Sequence, residues 1–511
     1  MVPPLREPSP QPRDLESRIR ELSDTVGRLE ARVTQLEAQA RQEPLEPEAD
    51  GIPPAPAPEP EAAPALGLVP LLALIGQVFL ILGGAFFFRS LTDAGTLPRL
   101  WGAALGLAYA LGWLPVAWRA RSPVSATVYA LASVLITYPL VWESTTTFAI
   151  FRAPQAVLVL LLASILQLGV AWLRLLKAAA WINLLAALAT AFGLMAVTQA
   201  LPWFTLLFLG WGAGSLWLTY GRRWHALRWP TALAADLAVL ILTVLTAWPG
   251  GPPEGYRTLT PRLGMGAGLA LVLIYLGSFA VRMLQRRRTL NPFEVIQTAL
   301  VLLIGFGGSL RVALVSGSGA GLLGGGVLAA GLGSYGAAFP FAADREDLRA
   351  NFSFFTTLAV TFLLLGGAIV LPALPFVLAA GALGLASLLL GLRLRRTILL
   401  LQAAGILVAM AAASGLFAWI LKAYLAQTLQ LPTPADRIWV TVALLATAHG
   451  LLVVRRPGEP MGWRFRLPSC LLGTLAMLGL GAGLIWIVLR ALGPAPVTAG
   501  HLAAIRTVVL S

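Results

Sequence analysis

Charge is scarce in this chain. Asp, Glu, Lys and Arg make up 12% of its 511 residues, about half of the roughly 25% found in ordinary soluble domains. So little polar surface could not cover a globule in water, and most of the surface is expected to face lipid. Cysteine is scarcer still. Cys470 is alone, which excludes an internal disulfide. The three histidines, His225, His449 and His501, lie far apart and show no metal-ligand spacing, so neither a metal site nor another cofactor is expected.

Other absences narrow the function. The N-terminal stretch MVPPLREPSPQPRDLESR lacks the apolar core of a secretory signal, so no cleavage there is expected. No P-loop, serine elbow, paired His–Glu motif or cytoplasmic catalytic domain is found, and the Gly-rich runs lie inside apolar stretches, where they read as packing. The outer loops are short, and their acids Asp93, Glu143, Glu254 and Asp436 are isolated. Large membrane glycosyltransferases and ligases instead cluster acids on long outer loops to hold a metal and a lipid-linked donor. These absences argue against an enzyme.

What is present is hydrophobic: 58% of the residues, with a mean hydropathy of +0.79. A helix needs about 20 apolar residues to cross roughly 30 Å of hydrocarbon. Such stretches recur at 68–88, 98–118, 124–142, 154–173, 178–198, 202–220, 230–248, 261–282, 292–314, 318–341, 350–371, 374–392, 397–421, 437–454 and 467–489. The expected fold is all-α, a polytopic transmembrane bundle of about 15 spans, with a short N-terminal coiled-coil helix.

The net charge of +14 divides unevenly. Residues 1–65 hold 7 Lys/Arg against 13 Asp/Glu, so the remaining chain holds 30 against 10 (37 − 7 and 23 − 13). That excess belongs to loops between spans and does not point to nucleic acid. Even-numbered loops carry 20 Lys/Arg and odd-numbered loops 8, a bias that places the N-terminus in the cytoplasm.

The chain divides into a disordered start (1–14), a coiled-coil helix (15–40), a Pro/Glu-rich linker (41–65), the multi-pass domain (66–492) and a short tail (493–511). In 15–40 a heptad seam sets Ile19, Val26 and Val33 at a and Leu15, Leu22, Leu29 and Leu36 at d. β-Branched a with leucine d favours a parallel dimer, and Arg32 at g can reach Glu37 at e of a partner. Gly27 interrupts the seam, and a single surface helix, or one folded onto the membrane domain, is the alternative. Tryptophans such as Trp142, Trp229 and Trp439 fall near predicted span ends, where indoles anchor at the headgroups. Glycines four apart, at Gly102/Gly106, Gly210/Gly214, Gly264/Gly268, Gly321/Gly325 and Gly479/Gly483, are expected to pack helices within the bundle.

Ionisable residues inside spans are candidate sites because they are costly there. Asp236 could hold a proton or cation, or could be solvated near the cytoplasmic interface or paired with Arg228. Glu294 starts a span, where the helix dipole accepts a carboxylate, and reads as structural. Arg89, Arg311, Lys422 and Arg490 each sit in an apolar run near the outer end of a span. Together with Asp93 they are candidates for an anion site taking a phosphate, a carboxylate or an anionic lipid head. The competing account is favourable placement at helix C-termini with snorkelling. The similar endings also hint at a divergent helix-hairpin repeat.

Two segments, LESRIRELSDTVGRLEARVTQLEAQA and GQVFLILGGAFFFRSLTDAGTLPRLWGAALGLAYALGW, carry a resemblance. The chain resembles the bacterial "predicted membrane protein" family, a domain of unknown function with an N-terminal coiled coil and very many helices. Arg89, Asp93 and Gly95 occupy the family's basic-residue, Asp and Gly places after the first span. The resemblance implies a multi-pass protein of the bacterial inner membrane and no established activity. Family members often end on a further helix, so at HLAAIRTVVLS the last span is expected to be absent or degenerate. The expected partners are the bilayer, a second copy through the coiled coil, and an anionic lipid or small anion. The expected role is non-enzymatic, in transport or lipid handling, with a scaffold that dimerises or recruits a partner through the coiled coil as the alternative.

Overall fold

The computed structural model describes residues 24–25, 27–28, 30–32, 34–35, 68–221, 224–286, 290–338, 349–394, 396–425, 431–454, 463–492 and 499–510. The chain divides into two units, Met1–Leu72 and Ala73–Ser511. In the first, the described positions among 24–35 are helical and exposed. The seam positions Leu15, Ile19, Leu22, Val26, Leu29, Val33 and Leu36, like the linker 41–65, lie outside the described residues.

The second unit is helical throughout and contains no strand among the described residues. Its helices are α1 (Leu68–Asp93, beginning in the first unit), α2 (Arg99–Arg119), α3 (Pro123–Thr146), α4 (Ala153–Leu173), α5 (Lys177–Thr198), α6 (Leu201–Gly221), α7 (Arg228–Thr246) and α8 (Pro261–Arg286). There follow α9 (Pro292–Ser316), α10 (Ala320–Ala338), α11 (Arg349–Val370), α12 (Ala373–Leu394), α13 (Thr397–Ser414), α14 (Leu416–Leu425), α15 (Asp436–Val454), α16 (Trp463–Ala491) and α17 (Ala499–Leu510). Fourteen helices among the described residues are long and apolar enough to cross a membrane. The chain is therefore a multi-pass membrane protein with an all-α bundle. Helix α1 coincides with the first predicted span, and the other predicted spans coincide with the fourteen.

The outward surface carries many large apolar side chains. Leu322 is 86% exposed, Leu80 78% and Met477 75%, which in water would cost roughly 1.5–3 kcal/mol per side chain and in lipid costs nothing. Two large buried clusters lie beneath that surface. One, centred on α2–α8, includes Tyr138, Phe204, Phe208, Tyr275 and Phe293. The other, from α11 to α16, includes Leu388, Met410, Trp419 and Leu472.

Local chemistry accounts for the breaks. Segment 397–421, expected as one span, is divided: Gly415 takes φ +84° and ends α13, so α14 starts a new helix. A left-handed residue at this position closes a helix, and glycine adopts it without a Cβ clash. Within α9, residues Leu302–Phe306 form a π-helical turn. The segment expected as a tail contains α17, of 12 residues, and Arg506 donates from it to the Ala423 carbonyl at 3.0 Å.

Three of the five predicted glycine pairs pack as expected. Gly102 is covered by Thr92 and Gly106 by Leu140; Gly264 meets Thr246 and Gly268 meets Gly305; Gly479 and Gly483 meet Val442 and Trp439. Gly210/Gly214 and Gly321/Gly325 have open space where a Cβ would stand. The close α10–α11 contact is made instead by Gly324, where a Cβ would lie 2.6 Å from Val370. Trp439, expected as a headgroup anchor, stacks edge-on between Trp419 and Trp486, with centroids at 5.8 and 6.4 Å.

Candidate functional site

Helices α1, α2 and α3 enclose a half-open cavity of about 120 Å³. Arg89 reaches it from the last turns of α1, Arg99 from the first residue of α2, and Glu143 and Ser144 from the last turn of α3. Its deeper wall is apolar and includes Leu82, Phe88, Leu135 and Leu140. Pro139 lines it as well. Proline has no N–H to donate to the carbonyl one turn back, which here is that of Leu135 on the same wall. The Ser144 hydroxyl is fully buried and makes no hydrogen bond.

Arg89 is the hub. Its Nη2 lies 2.9 Å from Glu143 Oε1, and its Nε lies 3.7 Å from Asp93 Oδ2. Arg99 sits beside the Phe148 ring, 5.9 Å from its centroid. Arg89 is about half exposed (48%), so these ion pairs contribute only roughly 0.2–1 kcal/mol each. Binding that weak leaves the guanidinium open to exchange with another anion. The cavity lining carries two guanidiniums and one carboxylate, with Asp93 beside Arg89 at its edge.

The other predicted basic residues do not join this site. Arg311, Lys422 and Arg490 are exposed on α9, α14 and α16, and none lines the cavity. Arg490 lies over the Trp486 ring, 5.2 Å from its centroid. An amphipathic indole beside a long cation suits a snorkelling residue at a helix end. Of the four cations, Arg89 alone lines this cavity.

Asp236 lies elsewhere in the bundle, on α7. It is 2% exposed, not solvated, and it is not paired with Arg228, whose guanidinium lies 4.3 Å from the Phe293 ring centroid. Both carboxylate oxygens instead accept from Gln297 Nε2 on α9, at 3.0 and 2.9 Å. One turn before Gln297, Glu294 is fully buried and forms an ion pair with Arg282 of α8. The other Glu294 oxygen accepts from the Asn291 backbone N–H at 2.9 Å, completing the start of α9. Glu294 thus caps the start of α9, as its position implied, and has a cation partner that spacing did not reveal.

Gln297, Arg282 and Arg99 are the site residues that sequence reasoning missed. Gln297 is three residues beyond Glu294 and so shares its helix face. That spacing was a legible signal, but uncharged amides in spans draw less notice than acids.

Comparison with protein-family models, curated proteins and solved structures finds no match for this chain.

Proposed function

We propose that this protein binds and handles an anionic amphiphile at the α1–α2–α3 cavity, as a non-enzymatic multi-pass protein of the bacterial inner membrane with its N-terminus in the cytoplasm. The observation that carries this reading is the two-ended chemistry of the cavity. Arg89 and Arg99 line its polar side, and Leu82, Phe88 and Leu135 line its apolar side. A volume of about 120 Å³ is close to the engineered cavities of roughly 150 Å³ that accept a benzene. It suits a phosphate or carboxylate headgroup with its first methylenes. An acyl chain can continue over Phe86, which lines the cavity and is 62% exposed.

A binding role is supported by Glu143, the carboxylate of the cavity, being engaged by Arg89 rather than presented to a reacting group. The positive-inside charge bias supports the orientation, which sets Arg89 and its cavity at the outer end of the spans. Membership of the bacterial "predicted membrane protein" family is part of this proposal, supported by Arg89, Asp93 and Gly95 in their places.

Native mass spectrometry of the full-length protein, released gently from its own membranes, tests the reading. The wild type should retain an anionic lipid that Arg89→Ala/Arg99→Ala loses. After delipidation, added phosphatidylglycerol should restore the adduct in the wild type, and inorganic phosphate alone should not. Identical lipid adducts on both proteins would refute the cavity as the binding place. Retention of phosphate without lipid would replace the amphiphile with a small anion.

A further inference from the structure

The polar contact between α7 and α9 is short of one hydrogen. Asp236 contributes two acceptor oxygens, and Gln297 contributes one acceptor and two N–H donors. The Gln297 Nε2 lies within 3.0 Å of both carboxylate oxygens, and its Oε1 is buried with no hydrogen-bond partner. Gln297 is itself fully buried. An unmatched buried acceptor carries a desolvation cost that natural interiors rarely leave in place.

We propose that Asp236 and Gln297 form a proton-binding site within the membrane bundle, in which the Gln297 amide turns over as the proton arrives. One proton adds to a carboxylate oxygen of Asp236, and nothing else is released. The amide rotates so that Oε1 accepts from the new O–H, while Nε2 still donates to the other carboxyl oxygen. The Oε1 that lacked a donor then has one. A metal cation fits the place less well, because Asp236 and Gln297 offer three oxygens in all and hard cations take six or more.

Charged and titratable groups stand on the elements packed against this pair. On α7 itself Arg228 lies over Phe293. On α8 Arg282 is engaged by Glu294 of α9, Tyr275 is buried, and Arg262 and Arg286 stand at the two ends of the helix. On α9 the other charged group is Arg311, exposed and fourteen residues beyond Gln297. Helix α6 carries no charged residue, and the short turn before α7 contributes His225. None of the ion pairs among the described residues includes Asp236.

The site also adjoins an irregularity. Gln297 lies five residues before the π-helical turn Leu302–Phe306, and that turn sits where Gly305 meets Gly268 of α8. Such turns inside α-helices often mark functional positions. A change in the amide is thus delivered to the part of α9 where helix hydrogen bonding already departs from the regular ladder.

Infrared difference spectroscopy across pH, on the full-length protein in lipid nanodiscs, reads this directly. The wild type should show the carbonyl band of a buried protonated carboxyl growing with acid. Asp236→Asn, which keeps the shape, should lose that band. An unchanged difference spectrum in Asp236→Asn would overturn the site. If that variant is not recovered from membranes, Gln297→Leu carries the test. Removing the acceptor should shift the carboxyl band to the frequency of an unbonded acid, and a band at the wild-type position would overturn the pairing. Neither readout depends on lipid binding at the α1–α2–α3 cavity.

Discussion

Arg282 on α8 and Glu294 on α9 meet as a buried ion pair, with Glu294 fully enclosed and the Arg282 side chain 10% exposed. Glu294 spends its second oxygen on the Asn291 backbone N–H, so one carboxylate both starts α9 and fastens it to α8. Removing either partner leaves an uncompensated buried charge, an effect of roughly 3–5 kcal/mol. Glu294→Gln and Arg282→Met should each lower the thermal midpoint strongly. The double variant should be less destabilised than the sum of the two, and simple additivity in this double-mutant cycle would show that the pair is not coupled.

Glycine use separates Gly324 from its neighbour Gly325. A Cβ at Gly324 would stand 2.6 Å from Val370, whereas Gly325 has open space. Gly324→Leu should therefore destabilise by about 1–3 kcal/mol through overpacking. Gly325→Leu should be neutral, or stabilising by a few tenths of a kcal/mol through helix propensity. Thermal unfolding in nanodiscs distinguishes them, and equal midpoints would contradict the α10–α11 contact.

Within the cavity, Arg89 and Glu143 form a 2.9 Å ion pair between helices. Because Arg89 is half exposed, Glu143→Gln should change stability by no more than about 1 kcal/mol. The same substitution frees Arg89 for a ligand, and anionic-lipid retention should rise relative to wild type. Weaker retention in Glu143→Gln would mean that the carboxylate holds Arg89 in its binding position.

Orientation is open to a reporter test. Alkaline phosphatase fused after Gly255, in the loop between α7 and α8, should be active, and fused after Arg288 inactive. The opposite pattern would invert the topology inferred from loop charge.

The N-terminal seam makes its own prediction. Leu22→Asp/Leu29→Asp places charge in two d positions and should convert a coiled-coil dimer to monomer in native mass spectra. An unchanged oligomeric state would remove the dimer from the account.

The spans were legible because lipid imposes a one-dimensional rule: about 20 apolar residues wherever the backbone must satisfy its own hydrogen bonds. Arg89, Asp93 and Asp236 stood out by the same rule, since charge inside such a run is costly wherever it falls. Loop charge, a property of segments rather than of contacts, is read from the sequence in the same way. The partners of those charges were not legible. That Arg89 meets Glu143 on α3, that Asp236 meets Gln297 across 61 residues of chain, and that Gly324 rather than Gly321 or Gly325 touches a neighbour all depend on how each helix is rotated about its axis. In lipid that rotation is weakly encoded by hydrophobic pattern, because the outward face carries large apolar side chains too. Close packing and a few buried polar bonds decide it, and they exist only once the helices are assembled.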